Sequence, residues 1–383
     1  EKVVKKDNYK FGLLLIQILL YYLSVYLFVE SFKRKFNIKY HLFLLIFLCF
    51  EPTIIQWHHS FWNESIFLSM LFFLFYLLIK TSNNFFLNLI IGFLVALMFA
   101  QRAVSFFYIL PVISYYLLIK KKKFYNIIFL LIGFSSLMIF IGFNNYDKSG
   151  RFYFIPAEHQ YKSYYYYFST RIYADKHDIS RTKAHEILNN QEIQWRKDNN
   201  LYLDIEKKFN LNESKDNLKI NQDYLKAIEY RNKKFLEIAI SNPIYLTKFF
   251  IKRVLLMSQF SPTWTTQSYN NDRHSLEANI NPAKYYNRNL IRNIFYSLII
   301  YPFIILGFLF FLKDLFIKKN FSNHNKFLIF QIISIFYFVA ISGFWGNPKY
   351  FVPCIINLSF FMAQGLSLSI IFFKKKLFNK INE

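Results

Sequence analysis

The sequence predicts an all-α, polytopic membrane protein with about nine transmembrane helices and a mostly helical extracytoplasmic domain. Hydrophobic residues make up 54% of the chain and aromatic residues 22%. Apolar runs of about twenty residues, the length that crosses a bilayer core, recur along it. Lys and Arg cluster at the ends of these runs, so the net charge of +24 reflects membrane topology and not nucleic-acid binding.

Nine candidate spans follow from the apolar runs. They lie at about 11–29, 41–56, 64–80, 85–100, 104–120, 124–143, 291–312, 327–344 and 350–373. They divide the chain into an N-terminal bundle of about six spans (1–143), a hydrophilic segment (144–290) and a C-terminal bundle of about three spans with a basic tail (291–383).

The orientation follows from the short loops. One set of loops, which ends with the C-terminal tail, holds seventeen Lys and Arg residues. The opposite set, 57–63, 101–103 and 345–349, holds only Arg102 and Lys349. By the positive-inside rule the first set is cytoplasmic, and the second set and segment 144–290 are extracytoplasmic. The predicted location is the plasma (inner) membrane of a bacterial cell, within the cell envelope.

The extracytoplasmic segment is too long for a simple connector. Apolar spacing predicts helices over Arg181–Asn199 and Lys215–Ile240. Pro243 then opens a further helix, because proline is favoured in a first helical turn. Residues 244–260 are apolar with interspersed cations, which predicts a helix at the membrane surface.

Nine spans with a cytoplasmic C-terminus place residue 1 outside the cell. The chain begins at Glu1 without a signal peptide. We therefore expect an upstream span and an external loop to be missing; a processed or N-out protein is the alternative.

Two carboxylates are candidates for chemistry. Glu64 follows Asn63 at the outer start of a span, where it is either a helix-capping residue or an acid that contacts an acceptor, a sugar or a metal ion. Glu51 lies beside Pro52 near the outer end of a span. Three interpretations are open for Glu51. It takes part in function, as intramembrane carboxylates often do, or it reaches the lipid headgroups, or it forms hydrogen bonds with backbone groups left unpaired by Pro52.

His58 and His59 lie in the same loop as Trp57 and Trp62. Adjacent histidines on regular structure point in different directions, and no HExxH spacing is present. They are interpreted as polar interface residues, with acceptor, sugar or metal contacts as the alternative. No metal ligand is assigned, although a divalent ion is a candidate cofactor.

The two outer-loop cations are candidates for phosphate binding. Arg102 can clamp a phosphate with two hydrogen bonds, or anchor its helix by snorkelling. Lys349, which Tyr350 follows in sequence, has the same two interpretations, phosphate binding or anchoring of its helix. Two cations beside apolar helices on one face suit a lipid phosphate.

The order of these features resembles polytopic class-C membrane glycosyltransferases of the protein mannosyltransferase and aminoarabinose transferase type. Pro52 through Trp57, leading to Asn63–Phe67, is similar to that group's proline followed by an acid that opens a span. Phe99–Ala103 resembles its span-end arginine, although Ala103 stands where proline is usual.

Three later stretches extend the resemblance. Asn144–Phe152 is similar to the entry to the outer domain, with Asn144 in place of arginine. Asn242–Tyr245 resembles the Pro-x-x-Tyr helix, and Lys349–Pro353 the late Arg-Tyr-x-x-Pro motif with lysine for arginine.

The resemblance implies an inverting transferase that moves a sugar from a polyprenyl-phosphate donor to a protein, lipid or glycan acceptor on the extracytoplasmic face. The family's catalytic Asp lies in its first external loop, so we expect that general base upstream of Glu1. An O-antigen polymerase or ligase, and a transporter or flippase, are the alternatives. The first should carry arginine-rich outer loops and the second broken helices or inverted repeats.

Overall fold

The computed structural model describes residues 2–58, 63–80, 84–119, 123–150, 152, 154, 164–201, 218–258, 260, 282–343 and 351–381. Within these ranges the chain is helical and contains no strand. The predicted all-α fold class is confirmed. The residues form two compact units, which we call the membrane unit (Glu1–Phe134 with Val254–Glu383) and the insert unit (Ser135–Arg253).

The helices follow one another in chain order with short connections in the N-terminal part. They are α1 (Lys2–Phe36), α2 (His41–Phe50), α3 (Pro52–His58), α4 (Asn63–Lys80), α5 (Phe85–Gln101), a 3₁₀ helix (Ala103–Tyr108), α6 (Ile109–Ile119) and α7 (Lys123–Ser149). A π-helix (Tyr164–Ser169), α8 (Thr170–His177), α9 (Arg181–Asp198), α10 (Leu218–Ile240) and α11 (Pro243–Met257) follow. The chain then forms α12 (Pro282–Leu312), a π-helix (Lys313–Ile317), α13 (Asn323–Ser342) and α14 (Val352–Ile381).

Each predicted span corresponds to an apolar helical segment. Among the described residues, five segments are long and apolar enough to cross a membrane: Phe11–Phe36, Phe124–Asp147, Ile291–Ile317, Asn323–Ser342 and Val352–Lys374. Four shorter apolar helices, His41–Phe50, Ser65–Lys80, Phe85–Gln101 and Ile109–Ile119, account for the rest. The predicted span 41–56 is interrupted at Glu51 because Pro52 cannot continue the backbone hydrogen-bond pattern.

Aromatic side chains form the centre of the membrane unit. The Phe28 ring on α1 lies 5.7 Å from the rings of Phe72, Phe75 and Phe360, measured between centroids. All four side chains are buried. Since lipid tails are as apolar as these rings, close packing and not hydrophobic transfer holds membrane helices together. Close packing of these rings therefore holds α1, α4 and α14 together.

Glycine lets α12 and α14 approach to backbone contact. A Cβ built on Gly307 would lie 1.9 Å from the Phe361 carbonyl oxygen, and one on Gly365 would lie 1.9 Å from the Phe303 carbonyl oxygen. The two helices thus present glycine to each other's backbone. Small residues at such crossings are typical of membrane helix pairs.

The insert unit contains the helices predicted from apolar spacing. The prediction for Arg181–Asn199 corresponds to α9, and the prediction for Lys215–Ile240 corresponds to α10, which begins at Leu218 in the described part. Pro243 is the first residue of α11, as predicted. One face of α11 exposes Ile244, Ile251 and Leu255, and its location at a membrane surface stays a prediction.

The crossing of α12 and α14 gives a stability test. We expect Gly365→Ala to lower the unfolding free energy in detergent by about 1–3 kcal/mol, because the added methyl group must push two backbones apart. The control is Gly12→Ala, since a Cβ on Gly12 meets nothing within 4 Å. Thermal unfolding followed by size-exclusion fluorescence measures both. Equal melting temperatures for the two variants would contradict the packing described here.

Candidate active site

The helix break at Glu51 leaves backbone groups that need partners from elsewhere. α2 ends at Phe50 and Pro52 has no N–H, so the Leu48 carbonyl loses the donor that a continuous helix would supply. The Tyr21 hydroxyl donates to the Leu48 carbonyl oxygen over 2.8 Å, and the Tyr22 hydroxyl donates to the Cys49 carbonyl oxygen over 3.4 Å. Two tyrosines on α1 therefore supply hydrogen-bond donors to the carbonyl groups at the end of α2.

The Glu51 side chain caps the following helix. It is 2% exposed, and its carboxylate accepts hydrogen bonds of 2.8 Å from the Thr53 hydroxyl and from the Ile54 N–H. The Ile54 N–H is one of the first-turn donors that an N-cap side chain satisfies. These contacts agree with the interpretation in which Glu51 forms hydrogen bonds with backbone groups near Pro52. A role in substrate binding stays a prediction.

Arg102 lies at the junction of α5 and the 3₁₀ helix. Its backbone is extended, with φ −146° and ψ 120°, and its N–H donates to the Met98 carbonyl oxygen over 2.9 Å. Its own carbonyl oxygen accepts from the Ser105 N–H over 3.0 Å and from the Ser105 hydroxyl over 2.8 Å. The chain therefore turns at Arg102 with its backbone groups paired on both sides.

The Arg102 side chain reaches the beginning of α4. Its guanidinium carbon lies 5.6 Å from the centroid of the fully buried Phe67 ring, within cation–π range. Phe67 lies three residues after Glu64, which is just under one helical turn. The structure therefore brings Arg102 to the helix start that carries Glu64, a pairing of residues that are distant in sequence.

The C-terminal part of α13 packs against the same segment. The Tyr337 hydroxyl donates to the Val104 carbonyl oxygen over 2.6 Å. The Phe338 ring stacks on Tyr108 at 5.0 Å and lies 6.4 Å from Phe67. α13 ends at Ser342, so its C-terminal end lies at the end of the unit where Arg102 lies.

The remaining predicted site residues are not all described. His59, Lys349 and Tyr350 lie outside the described residues, as do the side chains of His58 and Glu64. Among the residues that are described, no three His, Cys, Asp or Glu side chains come together as a metal site would require. Metal binding near Glu64 and the two histidines therefore stays a prediction.

The insert unit contains a buried ionic cluster that sequence reasoning missed. Arg231 is fully buried, and its Nε and Nη2 donate to the two Glu192 carboxylate oxygens over 2.9 and 2.7 Å. Arg196 and the Tyr166 hydroxyl also donate to Glu192. Burial and the neighbouring Glu192 carboxylate raise the pKa of Tyr166. The cluster joins α9, α10 and the π-helix Tyr164–Ser169. The spacing of residues in the sequence does not indicate that these three elements meet.

A second missed group surrounds Tyr167. The guanidinium carbon of Arg171 lies 3.8 Å from the centroid of the Tyr167 ring, and Arg253 donates to the Tyr167 hydroxyl. Burial lowers the pKa of Arg253, and the nearby charges of Arg171 and Arg181 lower it further. The run of four tyrosines at 164–167 was the only sequence signal for this cationic cluster.

Comparison with known proteins gives one family. Residues 4–144 match the model of the dolichyl-phosphate-mannose-protein mannosyltransferase family. No curated protein and no solved structure gives a significant match to the chain. The matched stretch runs through α1 to α6 and most of α7, and it contains the Glu51 break, the start of α4 and the Arg102 junction. The resemblance to polytopic class-C membrane glycosyltransferases is therefore confirmed over residues 4–144.

Proposed function

We propose that the protein is a membrane glycosyltransferase that takes a sugar from a polyprenyl-phosphate donor. The observation that carries this proposal is that the family match covers the segment in which Arg102 meets the start of α4. We further propose that transfer occurs on the extracytoplasmic face of the plasma membrane, since the loops at this end carry few Lys and Arg residues.

In this proposal Arg102 binds the phosphate of the donor. The bond between the anomeric carbon and a phosphate oxygen breaks during transfer, and negative charge grows on the departing lipid phosphate. A guanidinium held beside a buried ring stabilises that charge more than it would in water, because the surroundings have a low dielectric constant. We assign Lys349 and Tyr350 to the same phosphate.

A carboxylate would deprotonate the acceptor hydroxyl. The acceptor hydroxyl attacks the anomeric carbon from the side opposite the phosphate, so the configuration inverts, and the hydroxyl proton passes to a carboxylate base. We place Glu64 at the acceptor or the sugar, with His58 and His59 nearby. A divalent ion at these residues is part of the proposal, and loss of transfer in EDTA with recovery in Mg²⁺ or Mn²⁺ would support it.

The phosphate assignment predicts a specific loss of activity. We expect Arg102→Ala in the full-length enzyme to reduce sugar transfer from a labelled polyprenyl-phosphate donor about a hundredfold, as removal of a charge-stabilising donor typically does. Arg102→Lys should recover part of the activity because it keeps the charge. Glu64→Gln should also abolish transfer while membrane insertion stays intact.

The matched control is Arg34→Ala, which removes a guanidinium at the end of α1 that pairs with Glu30. It should retain normal transfer. Normal turnover in Arg102→Ala and Glu64→Gln would refute the assignment. Uptake of the donor without release or transfer of its sugar would indicate a transporter.

The contacts of Glu51 predict a structural and not a chemical role. Glu51→Ala should lower stability by about 1 kcal/mol, the typical cost of a lost N-cap. Glu51→Asn should keep both stability and transfer, because asparagine also caps helices. Thermal unfolding and donor turnover are measured on the same preparations. A stable but inactive Glu51→Asn protein would show that the carboxylate takes part in catalysis.

A further inference from the structure

The membrane unit contains a cavity at the end opposite Arg102. Its volume is about 560 Å³, and it lies between the end of α1, the turn that follows it, and parts of α12, α13 and α14. Arg102 lies beside Phe67 near the start of α4, whereas Lys35 lines a groove with Lys80 at the other end of α4. The thirteen residues from Phe67 to Lys80 correspond to about 20 Å of helix. The cavity is therefore distinct from the candidate active site.

The cavity is formed by a fixed turn. Asn37 has a left-handed backbone with φ 50°, so the chain reverses sharply after α1 and brings Lys39 to the cavity that Lys35 also lines. The Tyr40 hydroxyl and the His324 Nε2 are 2.8 Å apart, which ties this turn to the first residues of α13. Two cations thus line a cavity whose walls are joined by a hydrogen bond.

A buried polar atom in the lining lacks a protein partner. Gln364 on α14 lines the cavity and is 8% exposed, and its Oε1 has no hydrogen-bond donor within the described structure. An unsatisfied buried acceptor is destabilising, because it has lost its hydrogen bonds to water without gaining a partner in the protein. Such a cost is offset when a ligand supplies the missing N–H or O–H group.

Part of the cavity wall is apolar, and this part continues to the outer surface of the helices. Phe310, Leu368 and Ile371 line the cavity, and Ile371 is 48% exposed at its edge. Leu309 and Phe372, next to these residues in sequence, are also exposed. In a membrane, such a surface contacts acyl chains. The cavity therefore offers cations and an acceptor beside a path for a lipid tail.

We propose that this cavity binds the headgroup of a glycerophospholipid that carries a hydrogen-bond donor, such as phosphatidylglycerol or phosphatidylethanolamine. Lys35 and Lys39 bind the phosphate, Gln364 accepts from the headgroup hydroxyl or ammonium, and an acyl chain lies along Phe310, Leu368 and Ile371. The site is independent of sugar transfer, and its occupant is a lipid of the leaflet opposite the candidate active site.

The test uses the full-length protein, delipidated in detergent, and measures the rise in melting temperature as defined lipids are added. Binding to the folded state alone raises stability in a saturable way. Phosphatidylglycerol and phosphatidylethanolamine should stabilise the protein at lower concentrations than phosphatidylcholine, whose trimethylammonium group donates no hydrogen bond. Inorganic phosphate should give no comparable shift, because it lacks the acyl chain.

Variants separate this site from general attraction of lipids to a basic surface. Lys39→Gln should weaken the apparent affinity for phosphatidylglycerol about tenfold, the effect of one lost charged contact worth about 1.4 kcal/mol. Lys33→Gln removes the same charge from α1 at a position outside the cavity lining, and it should leave the affinity unchanged. Gln364→Leu should abolish the preference for phosphatidylethanolamine over phosphatidylcholine, two lipids of equal net charge that differ in N–H donors, without lowering the melting temperature of the lipid-free protein.

Three results would overturn the proposal. The first is equal stabilisation by phosphatidylglycerol, phosphatidylcholine and inorganic phosphate. The second is an equal loss of affinity in Lys33→Gln and Lys39→Gln. The third is a Gln364→Leu protein that keeps the full headgroup preference. Because the lysine pair is tested separately from Gln364, poor folding of one variant does not remove the test.

Discussion

Every backbone donor and acceptor within a bilayer must be satisfied by the protein itself. The interruption between α2 and α3 shows how this chain meets that requirement. Tyr21 and Tyr22 supply donors to the carbonyl groups at the end of α2, and Glu51 accepts from the first turn of α3. The helix can therefore break near one end of the membrane unit while these backbone groups keep hydrogen-bond partners.

The same end of the membrane unit depends on contacts between distant parts of the chain. Arg102 contacts Phe67 on α4, and Tyr337 and Phe338 on α13 hold the segment that follows Arg102. Polar residues in membrane proteins are costly and tend to mark functional sites. A guanidinium held by aromatic contacts at the start of α4 is a suitable group for a lipid-linked phosphate. The opposite end, with Lys39 and Gln364, has a different chemistry that suits a phospholipid headgroup.

The sequence predicted the parts of the fold that depend on local pattern. Apolar runs gave the positions of the spans, and Pro243 marked the start of α11. Pro52 lies inside a predicted span, but the tyrosines that compensate for it lie 27 residues before the carbonyl groups to which they donate, and sequence spacing does not reveal such pairs. The Arg102 contact with Phe67 and the Glu192 pair with Arg231 were missed for the same reason. Arg102 itself was identified because it is a lone cation in an apolar context.

The assignment of Arg102 to a lipid-linked donor requires that the end of the membrane unit that carries Arg102 faces the extracytoplasmic side. The most direct measurement is the location of a reporter inserted at His58, paired with one in the loop that holds Lys39. Alkaline phosphatase activity at His58 and its absence at Lys39 is the result expected from the distribution of Lys and Arg. A cytosolic reporter at His58 would contradict the orientation and the assignment of Arg102 to an external donor.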